Sequence, residues 1–339
     1  MGRVGFCCKF VEPHPRKLFE SVAGYNTGVT TVAWLNRQNR AAAENKLWAL
    51  MTSNLAAIYK LVEKVGANEK NTRMVRLGSD ILPMYTENNW SYFWRRSDVV
   101  DYISTGFAQI GKLARRSDVR LSFHPGQFTV LASADPDIVE RSIAEFEYHV
   151  DMVRWMGYGQ RFQDFKINVH ISGRGGPAGI RAVLPRLSAE ARNCITIEND
   201  EMSWGIDASL ELAADLALVI DLHHHWIKTG EYIQHNDARV QRIIDSWRGV
   251  RPALHYSVSR EDLLVNHPKD QLPNLDLLLS QGYKKQQLRA HSDYYWNSAA
   301  NDWAASFSEN FDIQCESKAK NLASYEFAKL ISKPLCNIT

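Results

Sequence analysis

Short runs rich in Val, Ile and Leu recur along the chain. They alternate with longer stretches in which apolar residues return every three or four positions, a pattern that predicts βα units feeding a parallel sheet. Eight of the short runs read as strands: Val4–Cys7, Met74–Leu77, Val119–Phe123, Lys166–Ile171, Cys194–Ile197, Ala217–Ile220, Pro252–His255 and Asp312–Cys315. The clearest helix is Glu44–Val65, where Leu47, Leu50, Met51, Leu55, Ile58, Tyr59 and Val62 recur at helical spacing and read as core-facing. Further helices are predicted at Ser97–Leu113, Pro136–Met156, Gly179–Ala191, Ala208–Ala214, Ala238–Trp247 and Lys320–Leu330, with Asp135 and Pro136 as an N-cap and N1 pair. Eight strands and seven interleaved helices predict an α/β fold of the (β/α)8 (TIM) barrel type. No linker or low-complexity stretch divides the chain, so it reads as a single catalytic domain over residues 1–339.

Composition narrows the class without changing the fold. At 339 residues, with 45% hydrophobic and 23% charged content, the chain can bury a sizeable core and is neither disordered nor fibrous. The N-terminus has no sustained apolar segment and no window approaches a membrane span, so a soluble cytoplasmic protein without a membrane partner is expected. Five cysteines (Cys7, Cys8, Cys194, Cys315, Cys336) without CxxC spacing argue against a disulfide framework or zinc ribbon and for a reducing compartment. The formal charge is +2, so any surface for a polyanion must be local. Candidate contributors are Arg95, Arg96, Arg174, Lys318 and Lys320, each of which alone reads as solvated surface charge.

In a (β/α)8 barrel the active site is built at the C-terminal ends of the strands, so the residue closing or following each run is informative. In chain order these positions offer Asp80 with Glu87 further on, His124, His170, Glu198, Asp221 followed by His223, His224 and His225, then His255, His291 in the next loop, and Glu316. His, Asp and Glu account for 11 and 38 of 339 residues, so chance puts roughly one at eight strand ends, and at least six ends carry one. A lone Glu198 or His170 would read as a satisfied core residue. Several carboxylates and imidazoles in one pocket desolvate or repel one another unless cations are present, which implies bound metal and more than one ion. A His/Asp/Glu set without cysteine suits Mn²⁺, Zn²⁺ or Fe²⁺ better than Ca²⁺. Alternation along an extended segment lets only some of His223–His225 face inward. His14, His149, His235 and His267 have no partner motif and read as structurally ordinary.

At LSFHPGQFTVLAS (Leu121–Ser133) the chain resembles the UV damage endonuclease family, whose hallmark is an HPGQ turn after the third strand. The resemblance continues through RLGSDILP (Arg76–Pro83), NVHISG (Asn168–Gly173), TIENDE (Thr196–Glu201), IDLHHH (Ile220–His225), LHYS (Leu254–Ser257), AHSDY (Ala290–Tyr294) and ESKAK (Glu316–Lys320). It implies a (β/α)8 barrel with two to three divalent ions, usually Mn²⁺ with Zn²⁺ or Mg²⁺ as alternatives. It implies ligand positions at His124, His170, Glu198, Asp221, His224, His255, His291 and Glu316, of which Glu198, Glu316 and His255 are the candidate catalytic residues. It further implies that Gln127 and Phe128 probe the DNA stack and that Phe6 joins the damage pocket.

Three departures from the family pattern stand out. Glu87 stands in place of a ligand histidine and is itself a candidate metal ligand, Ala253 replaces a carboxylated lysine, and Phe128 and Phe6 lack the hydroxyl of the usual tyrosines. Alternation places Ala253 on the face of His255, pointing into the barrel mouth. The implied function is hydrolysis of the DNA backbone, by water activated at those ions, immediately 5′ to cyclobutane dimers and 6-4 photoproducts, with abasic sites as a further candidate. A monomer acting on double-stranded DNA is expected. The rivals are a sugar isomerase of the xylose isomerase type and a catalytically weak damage-binding protein.

Overall fold

A computed structural model describes residues 2–332. Among the described residues there are ten strands: β1 (Val4–Cys7), β2 (Val11–His14), β3 (Lys17–Ser21), β4 (Met74–Arg76), β5 (Arg120–Phe123), β6 (Lys166–His170), β7 (Ile195–Glu198), β8 (Ala217–Val219), β9 (Ala253–Tyr256) and β10 (Asp312–Cys315). Eight form one parallel sheet in the order β8-β7-β6-β5-β4-β1-β10-β9, and β2 and β3 pair antiparallel as a separate hairpin. The outer strands β8 and β9 meet at a single parallel bridge between Asp221 and His255, where the His255 N–H donates to the Ile220 carbonyl at 2.9 Å. The sheet is thus a (β/α)8 barrel whose seam closes on two residues singled out as candidate ligands.

Neighbours in register on parallel strands point to the same face, so the ladders sort the barrel's lining. His170, Glu198 and Val219 share one row, and Gly5, Gln314 and His255 another. Phe6, Cys315 and Tyr256 lie in register on the opposite face, toward the helices. A barrel interior is ordinarily filled by branched apolar side chains. Here it is strongly polar, with Lys166, Asn168, Thr196, Glu198, Gln314 and Asp312 all buried. The apolar core lies between the strands' outer face and the helices, where Leu47, Met51, Ile58 and Val62 of the Arg40–Gly66 helix are buried as their spacing predicts.

Caps set several helix starts. Asn39 accepts from Ala42 N, which begins the first long helix at Arg40, a turn before the expected Glu44. Asp135 accepts from Asp137 N and Ile138 N with Pro136 in the first turn, as expected. The stretch read as one helix over Gly179–Ala191 is two, Gly176–Val183 and Ala189–Cys194, separated by a 3-10 turn around Pro185 and a Ser188 cap. The helix expected at Ala208–Ala214 spans Ile206–Leu210. Cys194 ends a helix rather than opening a strand, which makes Glu198 the last residue of β7. Among the described residues the four cysteines form no disulfide, and Cys336 lies outside them. No described helix is long and apolar enough to cross a membrane.

Candidate metal centre at the barrel mouth

β7 delivers Glu198 to the middle of the site, and Asn168 of β6 fixes its carboxylate. Thr196 Oγ1 donates to Asn168 Oδ1 at 2.8 Å, which orients the amide so that its Nδ2 donates to Glu198 Oε2. The same Oε2 lies 3.2 Å from His124 Nε2 and 3.9 Å from His170 Nε2, while Oε1 lies 3.1 Å from His255 Nδ1 and 3.5 Å from His224 Nδ1. Glu316, one residue past β10, places Oε1 3.2 Å from His255 Nδ1 and pairs with Arg76 of β4.

Three overlapping groups have ligand atoms close enough to share ions: His124, His170 and Glu198; Glu198, Asp221 and His224; and Asp221, His255 and Glu316. Glu198 and Asp221 each belong to two groups, so they would bridge. His291 stands outside these triads, with its Nδ1 donating to the Glu316 carbonyl at 2.6 Å. That bond leaves its Nε2 as the lone-pair nitrogen, and His124 is tied in the same way, its Nδ1 3.0 Å from the Pro125 carbonyl and its Nε2 turned toward Glu198 Oε2. Tying one ring nitrogen to a carbonyl and leaving the other for an ion is the usual support of a ligating histidine.

The electrostatics fit a cation. Burial pushes Asp221 up to about 8, and the charges of Glu198 and Glu316 add to this despite His224. Its Oδ2 has no hydrogen-bond partner. Burial would raise Glu198, but the charges of His255 and His170 hold it well below the usual carboxylate range, and Arg76 does the same for Glu316. Burial would lower His224, yet Asp221 and Glu198 raise it to about 10. Without ions, then, the charge of Glu198 favours the protonated forms of His224 and His170, Asp221 is pushed toward its neutral form, and burial holds His124, His255 and His291 toward neutral imidazole. Two or three divalent ions would replace those protons on a donor set of neutral imidazoles and carboxylates. The residues present fit such ions.

The three histidines after β8 are not on an extended segment. Asp221 accepts from His224 N at 2.7 Å and caps a helix, Leu222–Thr229, which turns His224 toward Glu198. His223 instead reaches the Leu288 carbonyl, and His225 pairs with Glu231. His149 is fully buried in the Pro136–Trp155 helix, donating to Glu145 O and packing on Phe123, an ordinary core histidine.

Three expectations are corrected. Glu87 joins no ligand group, because its carboxylate is occupied by the backbone N–H groups of Asn89 and Trp90 in its own turn. Phe6 does not reach the mouth, since β1 turns it outward, where it is fully buried against Phe10 and Tyr325. Ala253 does face the barrel interior, but one layer beneath the mouth. It pairs with Asp312 and packs with Ala217, Val219 and Trp247.

Gln127 lines the mouth cavity of about 440 Å³ together with His124, His170, His224, His291 and Glu316. Phe128, 85% exposed, stands out beside it. Sequence reasoning missed Lys166, whose Nζ lies 2.9 Å from His255 Nε2 and whose burial lowers it to about 7. It also missed Asn168 and Arg76. Alternation back from His170 marks Lys166 and Asn168 as inward-facing, and that signal was present in the strand. Asp200 and Glu201, 3.5 Å from His170 and 3.6 Å from His224, were visible only as part of the ENDE segment.

The UV-endonuclease UvdE family model matches residues 2–337. A UV-damage endonuclease of Schizosaccharomyces pombe is 26% identical over 83% of this chain, a stretch that is 44% of that protein. A UV DNA damage endonuclease of Bacillus thuringiensis subsp. konkukian is 24% identical over 94% of this chain and 92% of its own. Among solved structures, SacUVDE superposes with a TM-score of 0.68 at 20% identity, covering 98% of both chains. Endonuclease IV from Thermus thermophilus superposes at 0.51 and 12% over 81% and 92% of the two chains, which supports the barrel.

Proposed function

This chain belongs to the UV-endonuclease UvdE family, and from that premise we propose that it is a DNA repair endonuclease acting on UV damage. It would hydrolyse the backbone immediately 5′ to cyclobutane dimers and 6-4 photoproducts, leaving a 3′-hydroxyl and a 5′-phosphate. Abasic sites are a further substrate to test. The observation that carries this reading is the set of three overlapping ligand groups, bridged by Glu198 and Asp221, at the open end of the barrel.

His124, His170, Glu198, Asp221, His224, His255 and Glu316 would hold two to three divalent ions, with His291 completing the set beside Glu316. When bound, such ions lower the pKa of an attacking water and neutralise charge on phosphorus and on the leaving 3′-oxygen. The protein's part is positional. Asn168 and Thr196 orient Glu198, Arg76 holds Glu316, and Lys166 abuts the rear nitrogen of His255. Gln127 and Phe128, presented at the rim by the turn after β5, are suited to fill the gap left when a damaged step is unstacked. A damaged step costs less to open than an intact one. The protein is read as acting as a monomer on duplex DNA.

The test is nicking of ultraviolet-irradiated and untreated supercoiled plasmid with Mn²⁺, with Zn²⁺ or Mg²⁺ in its place, and with chelator. Nicking of the irradiated plasmid alone, abolished by chelator, is expected. Equal nicking of both plasmids removes damage specificity, and turnover of a ketose or aldose in their place overturns the reading.

A further inference from the structure

The mouth cavity must accept a phosphodiester, yet its protein lining is dominated by carboxylates and imidazoles. Among the described residues that line it, Arg289 is the only lysine or arginine. Its backbone is anchored on both sides. The preceding Leu288 carbonyl accepts from Ser259 Oγ at 2.6 Å and lies 3.2 Å from His223 Nε2, while two residues on His291 bridges to Ser259 and donates to Glu316 O. The side chain, by contrast, is 43% exposed, and its NH1 meets Glu201 Oε1 at 2.9 Å. Glu201 is buried, and its other oxygen lies 3.6 Å from His224 Nε2. A rigidly placed backbone thus carries a long cationic arm across the mouth onto an anion at the edge of the ligand cluster.

We infer that Arg289 is a phosphate clamp and that Glu201 holds its place in the free protein. On DNA binding the guanidinium exchanges the Glu201 carboxylate for a backbone phosphate beside the scissile one, anion for anion. Guanidinium geometry suits both partners, since each offers two oxygens to a planar fork. The exchange leaves no cation unpaired, and Arg289 becomes the protein's own contribution of fixed positive charge to the substrate. This rests on the reading of the protein as a DNA endonuclease.

The experiment measures equilibrium binding of the Mn²⁺-loaded protein to a duplex that carries a cyclobutane dimer and a non-hydrolysable phosphonate at the scissile position. Affinity is followed across salt from about 50 to 200 mM, a range over which phosphate contacts are resolved. Losing one phosphate contact makes the slope of log K against log salt shallower by about 0.9. R289Q is expected to show that loss and an affinity on the order of tenfold weaker, with metal content unchanged. R289K should recover the slope but only part of the affinity, because an ammonium is a point charge rather than a fork. E201Q should bind at least as tightly as wild type. An R289Q protein with the wild-type slope and affinity overturns the inference, and so does one that loses its metal, which would make Arg289 a support of the centre. A wild-type protein that does not distinguish damaged from intact duplex would instead overturn the functional reading on which the inference stands.

Discussion

At the scale of single residues, the site turns on carboxylates that are buried and shared. Glu198 faces four imidazoles and Glu316 faces His255 and Arg76, so removing either charge would take a ligand from the ions proposed to activate the attacking water. Glu198→Gln and Glu316→Gln are each expected to lose most cleavage and part of the bound metal while the circular dichroism spectrum is kept. Wild-type turnover and metal content in both would show these groups to be structural. Recognition is separable from chemistry in Gln127→Ala combined with Phe128→Ala. Stacking on an aromatic is worth about 1–3 kcal/mol per base, so lesion binding should weaken on the order of tenfold or more with metal content unchanged. Fluorescence anisotropy with a dimer-containing duplex checks this, and unaltered affinity would remove these residues from the probing role. The residues that converge at the mouth were legible because His, Asp and Glu are conspicuous at the ends of apolar runs. Phe6 was misplaced because β1 is apolar on both faces, and only pairing to β10 decides which way its ring points. Glu87 was misplaced because a carboxylate that caps its own turn looks, in sequence, like one free to ligate.

At the scale of elements, strands whose helix-facing positions are apolar leave short runs rich in Val, Ile and Leu even where the barrel-facing positions are polar, and long helices leave a periodic stripe, so these were readable. The β2–β3 hairpin was not, because its VEPH and KLFES segments carry charges and a proline and its tip is exposed. Nor was the Leu222–Thr229 helix, since three consecutive histidines show no periodicity and only the Asp221 cap marks its start. The Pro136–Trp155 helix allows a prediction of its own. Burial lowers His149 in this helix from 6.5 to about 4, with its one hydrogen bond, to Glu145 O, opposing the shift. Below pH 6.5 the unfolded chain takes up a proton that the folded chain refuses, so stability is full above that value and is lost as pH falls toward 4. The loss amounts to about 2 kcal/mol near pH 5. Urea unfolding of wild type and His149→Phe at pH 7.5 and 5 should show a smaller acid loss in the variant, and equal losses would assign the acid sensitivity elsewhere.

At the scale of the whole molecule, the proposed ion binding would be coupled to folding, because the candidate ligand atoms come from residues far apart in the chain and from strands across the barrel. Each ion at 100 times its dissociation constant adds about 2.7 kcal/mol. For a chain of this length that raises the thermal midpoint by about 4 °C, given roughly 2.1 cal/mol/K of unfolding entropy per residue. Differential scanning fluorimetry with Mn²⁺ and with chelator checks this, and coincident midpoints would mean that the centre does not load. The seam between β8 and β9 adds a consequence of another kind. One amide, that of His255, spans it to the Ile220 carbonyl, and the same residue presents Nδ1 to Glu198 and Glu316. Its proton is therefore a built-in reporter. Hydrogen–deuterium exchange at His255 should be slow in the loaded protein and quicken when chelator lets the seam breathe, so occupancy of the centre can be timed at one backbone position with no DNA in the tube.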